Sequence, residues 1–159
     1  MHKTISLAVF MLTVVIMAAV GGLFAGGEWY QAMSKPAWTP SALLMASAWA
    51  VLYVLMAVSA WMVWDTMRGL ARAALALWGL QLLLGIVWSW VYFGLHRTGW
   101  SLGVVILWVL AVLIVIRAFR PVRLEASTLM MPLAAWLVFL GVLNFWQWRL
   151  NGGGLGSIF

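Results

Sequence analysis

The sequence predicts an all-α integral membrane protein, a bundle of five transmembrane helices, and three features carry that prediction. Apolar residues make up 67 % of the chain and charged residues 8 %, with a mean hydropathy of +1.09, a balance foreign to ordinary soluble domains. The apolar residues gather into five runs, each near the ~20 residues that a ~30 Å hydrocarbon core requires. None of the runs alternates apolar with polar as a barrel strand does, and a helix is the open-ended element that satisfies its own backbone in lipid.

The first run, Ile5–Phe24, follows His2 and Lys3 and ends at the small residues Ala25-Gly26-Gly27. That ending resembles a cleaved signal, but ~20 residues suit a span better than a signal core of roughly 7–15. A retained span is expected. The second, Leu43–Trp64, is closed by Asp65 and Arg68, and the third, Ala73–Leu95, by His96 and Arg97. The fourth, Trp100–Phe119, stops at Arg120 and Pro121, and the fifth, Leu129–Trp148, at Arg149. The connections are short except for 26–41, where Pro36, Pro40 and Gly residues surround Trp29, Tyr30 and Trp38. This is expected to be a structured turn region, either a lid over one mouth of the bundle or an interfacial aromatic belt. The Gly-rich stretch 152–159 is expected to be loose, and residues 1–159 to form one domain.

Lys and Arg orient the bundle. Lys3, Arg68, Arg72, Arg117, Arg120 and Arg123 fall on the side of the N-terminus, against Lys35, Arg97 and Arg149 on the other. The excess predicts a cytoplasmic N-terminus and an external 26–41 loop. The net charge of +6 is dispersed over loops and helix ends, which reads as topology and lipid-headgroup contact and gives no nucleic-acid footprint.

The composition also limits the chemistry. Without Cys there is no disulfide, thiolate or Cys-held metal. Glu28, Asp65 and Glu125 flank the runs and none lies inside one, so a carboxylate proton relay is unsupported. No His/Asp/Glu set has metal-ligand spacing, no nucleophile–base pair is visible, and no cofactor is called for. What remains is 13 Trp, more than interface anchoring needs. Trp49, Trp88, Trp108 and Trp136 lie well inside the runs. Helical spacing puts Gln81, Gly85, Trp88, Ser89 and Tyr92 on one face, Trp49, Tyr53 and Met56 on another, and Trp136, Leu140, Asn144 and Gln147 on a third. The amides of Gln81 and Asn144 must turn inward. They are either interhelical glue or orienting donors in an apolar ligand pocket. Gly99 and Gly103 form a small-xxx-small pair that can mark a helix contact within or between subunits.

The landmarks Trp29-Tyr30, Lys35-Pro36, Trp38, Pro40, Ala48-Trp49, Leu52-Tyr53, Gln81-Leu82, Trp88-Ser89, Phe93-Gly94, Pro132, Ala135-Trp136, Leu143-Asn144 and Trp148-Arg149-Leu150-Asn151 resemble, in order and spacing, the TspO/MBR family of tryptophan-rich sensory and translocator proteins. The resemblance implies a five-helix bacterial-type membrane protein, usually a homodimer, that works as a receptor or sensor. It implies an intramembrane pocket for porphyrin or haem-like tetrapyrroles and other apolar aromatic ligands. It assigns ligand contact to Trp38, Trp49, Tyr53, Gln81, Trp88, Trp136 and Asn144. Some members are described as degrading porphyrin in light and oxygen; by position Trp49 and Trp136 would carry that activity, and a small transporter of apolar molecules is a further alternative. The chain departs from the family pattern at Gly85, Leu133, Leu140 and Phe145. The first two remove hydrogen-bonding side chains from the expected cavity, and Leu140 narrows it.

Overall fold

The computed structural model describes residues 2–66 and 69–152, with side chains from residue 4 onward; Lys3, Arg68 and the stretch 153–159 lie outside the described side chains. Its elements are α1 His2–Gly22, α2 Gly27–Ala32, α3 Ala42–Thr66, α4 Ala71–Ser89, α5 Thr98–Phe119, α6 Leu124–Leu129 and α7 Met131–Leu150. Among the described residues, five helical stretches are long and apolar enough to cross a membrane: Thr4–Gly22, Ala42–Thr66, Ala71–Gly94, Thr98–Phe119 and Leu124–Leu150. The chain is a multi-pass α-helical membrane protein.

Two spans end differently from the apolar runs. The third continues past α4 as a π-helical turn, Trp90–Gly94, closed by Leu95 N–H donating to Trp90 O at 2.9 Å. The wider turn keeps Val91 and Tyr92 buried, and such turns re-aim side chains within a helix. His96 then leaves the helix with a φ of 57°, in the left-handed region that few side chains adopt. The fifth span starts earlier than its apolar run, because α6 is also helical. Two hydroxyls hold it inside the bundle: Ser59 Oγ donates to Ala126 O at 2.7 Å, and Ser127 Oγ to Ile116 O at 2.8 Å. Pro132 sits in the first turn of α7, where its missing N–H costs no helical bond.

α5 packs between α4 and α7, α1 packs against α3 and α4, and α6 against α3 and α5. Ala57, Ala60 and Val63 of α3, Val112, Val115 and Phe119 of α5 and Leu137 of α7 belong to one buried core. Among its described residues α1 buries Val14 and turns Ile5, Val9, Leu12, Val15 and Ile16 outward, as a span facing lipid does. Phe10, Met11 and Met17 pack against the core, and the last turns of α1 bring the small residues Ala18 and Gly21 toward its neighbours.

The buried amides join helices. Asn144 of α7 accepts from Trp88 Nε1 of α4 at 3.2 Å and lies 2.9 Å from Ser101 Oγ, while its Nδ2 donates to Thr98 O at 2.9 Å. Its amide ties α4, α5 and α7 together. One turn on, the Tyr92 hydroxyl donates to Gln147 Oε1 at 2.6 Å. Gly99 lets Trp148 rest on α5, since a Cβ there would stand 3.0 Å from the Trp148 ring nitrogen, while Gly103 meets nothing within 4 Å. The first glycine of the pair is used inside the chain and the second is open.

Candidate ligand cavity

Because α1 brings small residues to α3 and α4, the three helices do not close on one another. They leave a cavity of about 410 Å³ walled by Met17, Ala18, Gly21 and Gly22 of α1 with Ala25 beyond it, Trp49 and Tyr53 of α3, Gly85, Trp88 and Ser89 of α4 with Phe93 beyond it, and Trp108 of α5. That volume lies in the range of ligand pockets, roughly 300–1,000 Å³. Its polar groups are few. Ser89 Oγ is committed to Gly21 O at 2.6 Å, which pins α1 to α4, and among the described residues no acid, Lys, Arg or His lines the space.

Aromatic faces dominate the inner wall. Trp49 stacks on Tyr53 with centroids 5.5 Å apart and planes inclined by 26°, and on Trp108 at 5.9 Å and 11°. At such separations nearly parallel rings are offset, so each leaves part of a face uncovered. Trp88 tilts against Trp108 at 6.5 Å and stacks on Tyr92 at 5.1 Å. Two of these indoles are held by amides. Trp88 Nε1 donates to Asn144 Oδ1 and Trp108 Nε1 to Gln81 Oε1 at 3.0 Å. Gln81 is wholly buried, and its Nε2 faces Met56 Sδ at 3.6 Å.

The loop with α2 lies over the end of α4 and the end of α7. Trp29 stacks on His96 at 4.3 Å and 17°, and Tyr30 rests on Phe93 at 5.4 Å, which itself lines the cavity. Lys35 Nζ stands 4.5 Å over the Tyr30 ring. Asn151 clamps the loop by its backbone, accepting from Ser34 N at 3.0 Å and donating to Ser34 O at 2.8 Å. Met33 Sδ reaches the Tyr92 hydroxyl at 3.4 Å.

Of the residues that the sequence singled out, Trp49, Tyr53 and Trp88 line this cavity, and Gln81 and Asn144 stand behind its wall as hydrogen-bond partners of two indoles. Trp136 touches Trp49 edge-on at 6.3 Å but borders a second, outward-facing groove of about 590 Å³ between α3 and α7, with Leu44, Val51, Pro132 and Phe139. Trp49 thus stands between the two hollows. Trp38 is exposed and meets Phe139 at 6.0 Å. Leu133 and Leu140 are packed in the core and do not border the cavity. Sequence reasoning missed the α1 wall and Trp108 as lining residues. The small residues 18, 21, 22 and 25 recur at helical spacing and were the available signal for the first. Among the described residues no group of three His, Asp or Glu is placed to hold a metal.

Comparison with known proteins fits this arrangement. The TspO/MBR family profile matches residues 9–149. The chain belongs to the TspO/MBR family. It is 36 % identical over 149 residues to Protein CrtK of Rhodobacter capsulatus, covering 92 % of each chain. It is 34 % identical over 134 residues to a tryptophan-rich sensory protein of Cereibacter sphaeroides, covering 84 % of each. The translocator protein of Homo sapiens is 33 % identical over 144 residues, which is 87 % of this chain and 85 % of the human one. The TspO/MBR match runs from α1 to the end of α7 and takes in every wall of the cavity.

Proposed function

We propose that this chain is a membrane receptor of the sensory type that binds flat, apolar tetrapyrroles in the cavity between α1, α3, α4 and α5. One observation supports this above the rest: a partly open space of about 410 Å³ within the bundle, walled by the offset rings of Tyr53, Trp49 and Trp108 on one side and by Met17, Ala18, Gly21 and Gly22 of α1 on the other. Rings give a planar ligand stacking area, and small residues let it approach a backbone. Trp49, Tyr53, Trp88 and Trp108 contact the ligand in this reading. Gln81 and Asn144 hold the rings, and Trp136 backs Trp49 from outside, while Trp38 stands apart from the cavity against Phe139. The carboxylates of a porphyrin find no cation in the cavity and point to its mouth.

We further propose the cytoplasmic N-terminus and the homodimer that the sequence suggests. Reporter fusions at both termini test the first, and sedimentation in detergent the second. The ligand reading is tested by tryptophan quenching of the purified protein with protoporphyrin IX and with haem. Saturable quenching of stoichiometric amplitude supports it. Quenching that rises linearly with added porphyrin overturns it.

A further inference from the structure

We propose that Trp108 is the specificity-determining residue of this cavity, and that it makes the site select flat conjugated rings over thick, puckered alicyclic ones. The proposal rests on the ligand reading above and adds to it which residue chooses the ligand and by what property.

Trp108 comes from α5, yet its indole lies across α4 and forms part of the cavity wall. It reaches there because α4 has no side chain at Gly85. A Cβ built at that position would stand 2.7 Å and 2.9 Å from two carbons of the Trp108 six-membered ring, closer than packed atoms approach. Gly85 is thus a seat cut for this one indole. A hydrogen bond then fixes the ring in its seat: Nε1 donates to Gln81 Oε1 at 3.0 Å, and Gln81 is wholly buried one turn before Gly85. Held at both its edge and its face, the ring lies within 11° of the plane of Trp49.

The consequence is geometric. Where a flexible aliphatic side chain would yield to a bulky guest, a seated indole does not. It takes up depth that the missing α4 side chain would leave free and adds a rigid flat ring to the wall, stacked beside Trp49 and, through it, Tyr53. A planar π-system gains stacking on such a surface. A fused alicyclic ligand, with axial hydrogens on both faces, meets it at a few points and is held off.

The experiment measures binding of two probes, protoporphyrin IX and cholesterol, to purified parent and variants in the same detergent. The variants are Trp108→Leu, Trp108→Phe, Gly85→Ala, and Gly85→Ala combined with Trp108→Leu. Trp108→Leu is expected to weaken porphyrin binding about three- to tenfold, the range of one aromatic stacking contact, and to strengthen cholesterol binding. Trp108→Phe keeps a flat ring and keeps most of the preference for porphyrin. Gly85→Ala unseats the indole and shifts the preference toward cholesterol, with a lower melting temperature. Because the clash exists only with the indole present, the double variant melts above Gly85→Ala. A preference that stays unchanged in both Trp108→Leu and Gly85→Ala, in a parent that binds porphyrin, overturns this inference and leaves the ligand reading standing. A parent that binds neither probe overturns both. Equal melting of Gly85→Ala and the double variant overturns the seat itself.

Discussion

Two regions of the bundle are built from the same residue type and behave as opposites. At the seam of α4, α5 and α7, indole and phenol groups are consumed by amides: Trp88 by Asn144, Trp108 by Gln81, Tyr92 by Gln147. Elsewhere on α4 and α7, the ring nitrogens of Trp78, Trp136 and Trp148 are buried without a hydrogen-bond partner. The first set is positioned to within a bond length. The second is held by packing alone. The difference shows which tryptophans shape a binding surface. An indole whose N–H is tied cannot rotate to fill the space before it, so a cavity survives beside Trp88 and Trp108. Trp136, whose N–H is untied, is positioned by ring packing alone and borders the outer groove.

That contrast ranks the expected effects of substitution. The largest belongs to Asn144→Leu, which orphans Trp88 Nε1 and releases Ser101 Oγ and Thr98 O together. A cost of about 2–4 kcal/mol is expected from several interhelical bonds lost at once, read as unfolding in detergent, with weaker porphyrin binding. Gln81→Leu comes next. It frees one indole and should cost about 1–2 kcal/mol; porphyrin affinity falls through loss of the Trp108 orientation, and titration of the variant checks it. Asn151→Ala releases Ser34 from its clamp and leaves the core intact. Its expected signature is faster exchange of the loop amides around 33–35 and faster porphyrin release, with a melting temperature close to the parent. The smallest effect belongs to Trp136→Phe, because its N–H has nothing to lose. A change below about 1 kcal/mol is expected, and Trp88→Phe, which removes an interhelical hydrogen bond to Asn144, should exceed it. Equal costs for these two would dissolve the distinction between tied and untied indoles.

The spans were legible because lipid demands long apolar runs and enforces helices. Their ends were less so. The extension to Leu124 depends on Ser59 and Ser127 finding carbonyls on other helices, and the π-turn at Trp90–Gly94 has no local signature. Helical spacing gathered Trp49, Tyr53 and Trp88 on inward faces, and these do line the cavity. It did not reveal whether the amides of Gln81 and Asn144 face a ligand or a neighbouring helix, since both directions are inward. The structure shows them facing indoles. Trp108 escaped because its place depends on a vacancy at Gly85, 23 positions earlier on a different helix. Such a pairing lives in the packing of α4 on α5, beyond the reach of periodicity. Gly85 removes an expected hydrogen-bonding side chain, and in the folded bundle the space it leaves is taken by the larger, flatter Trp108 indole.

The central claim is that the cavity itself, rather than the groove beside Trp136, takes the ligand, and filling it tests this most directly. Ala18 is half-buried on α1 and borders the cavity, so Ala18→Phe places a ring in the space without touching any hydrogen bond described above. Ala135→Phe does the same to the groove between α3 and α7. Quenching titrations with protoporphyrin IX should lose saturable binding in Ala18→Phe and retain it in Ala135→Phe, with both variants folded by circular dichroism. Retained binding in Ala18→Phe together with loss in Ala135→Phe would place the ligand in the outer groove and contradict the account.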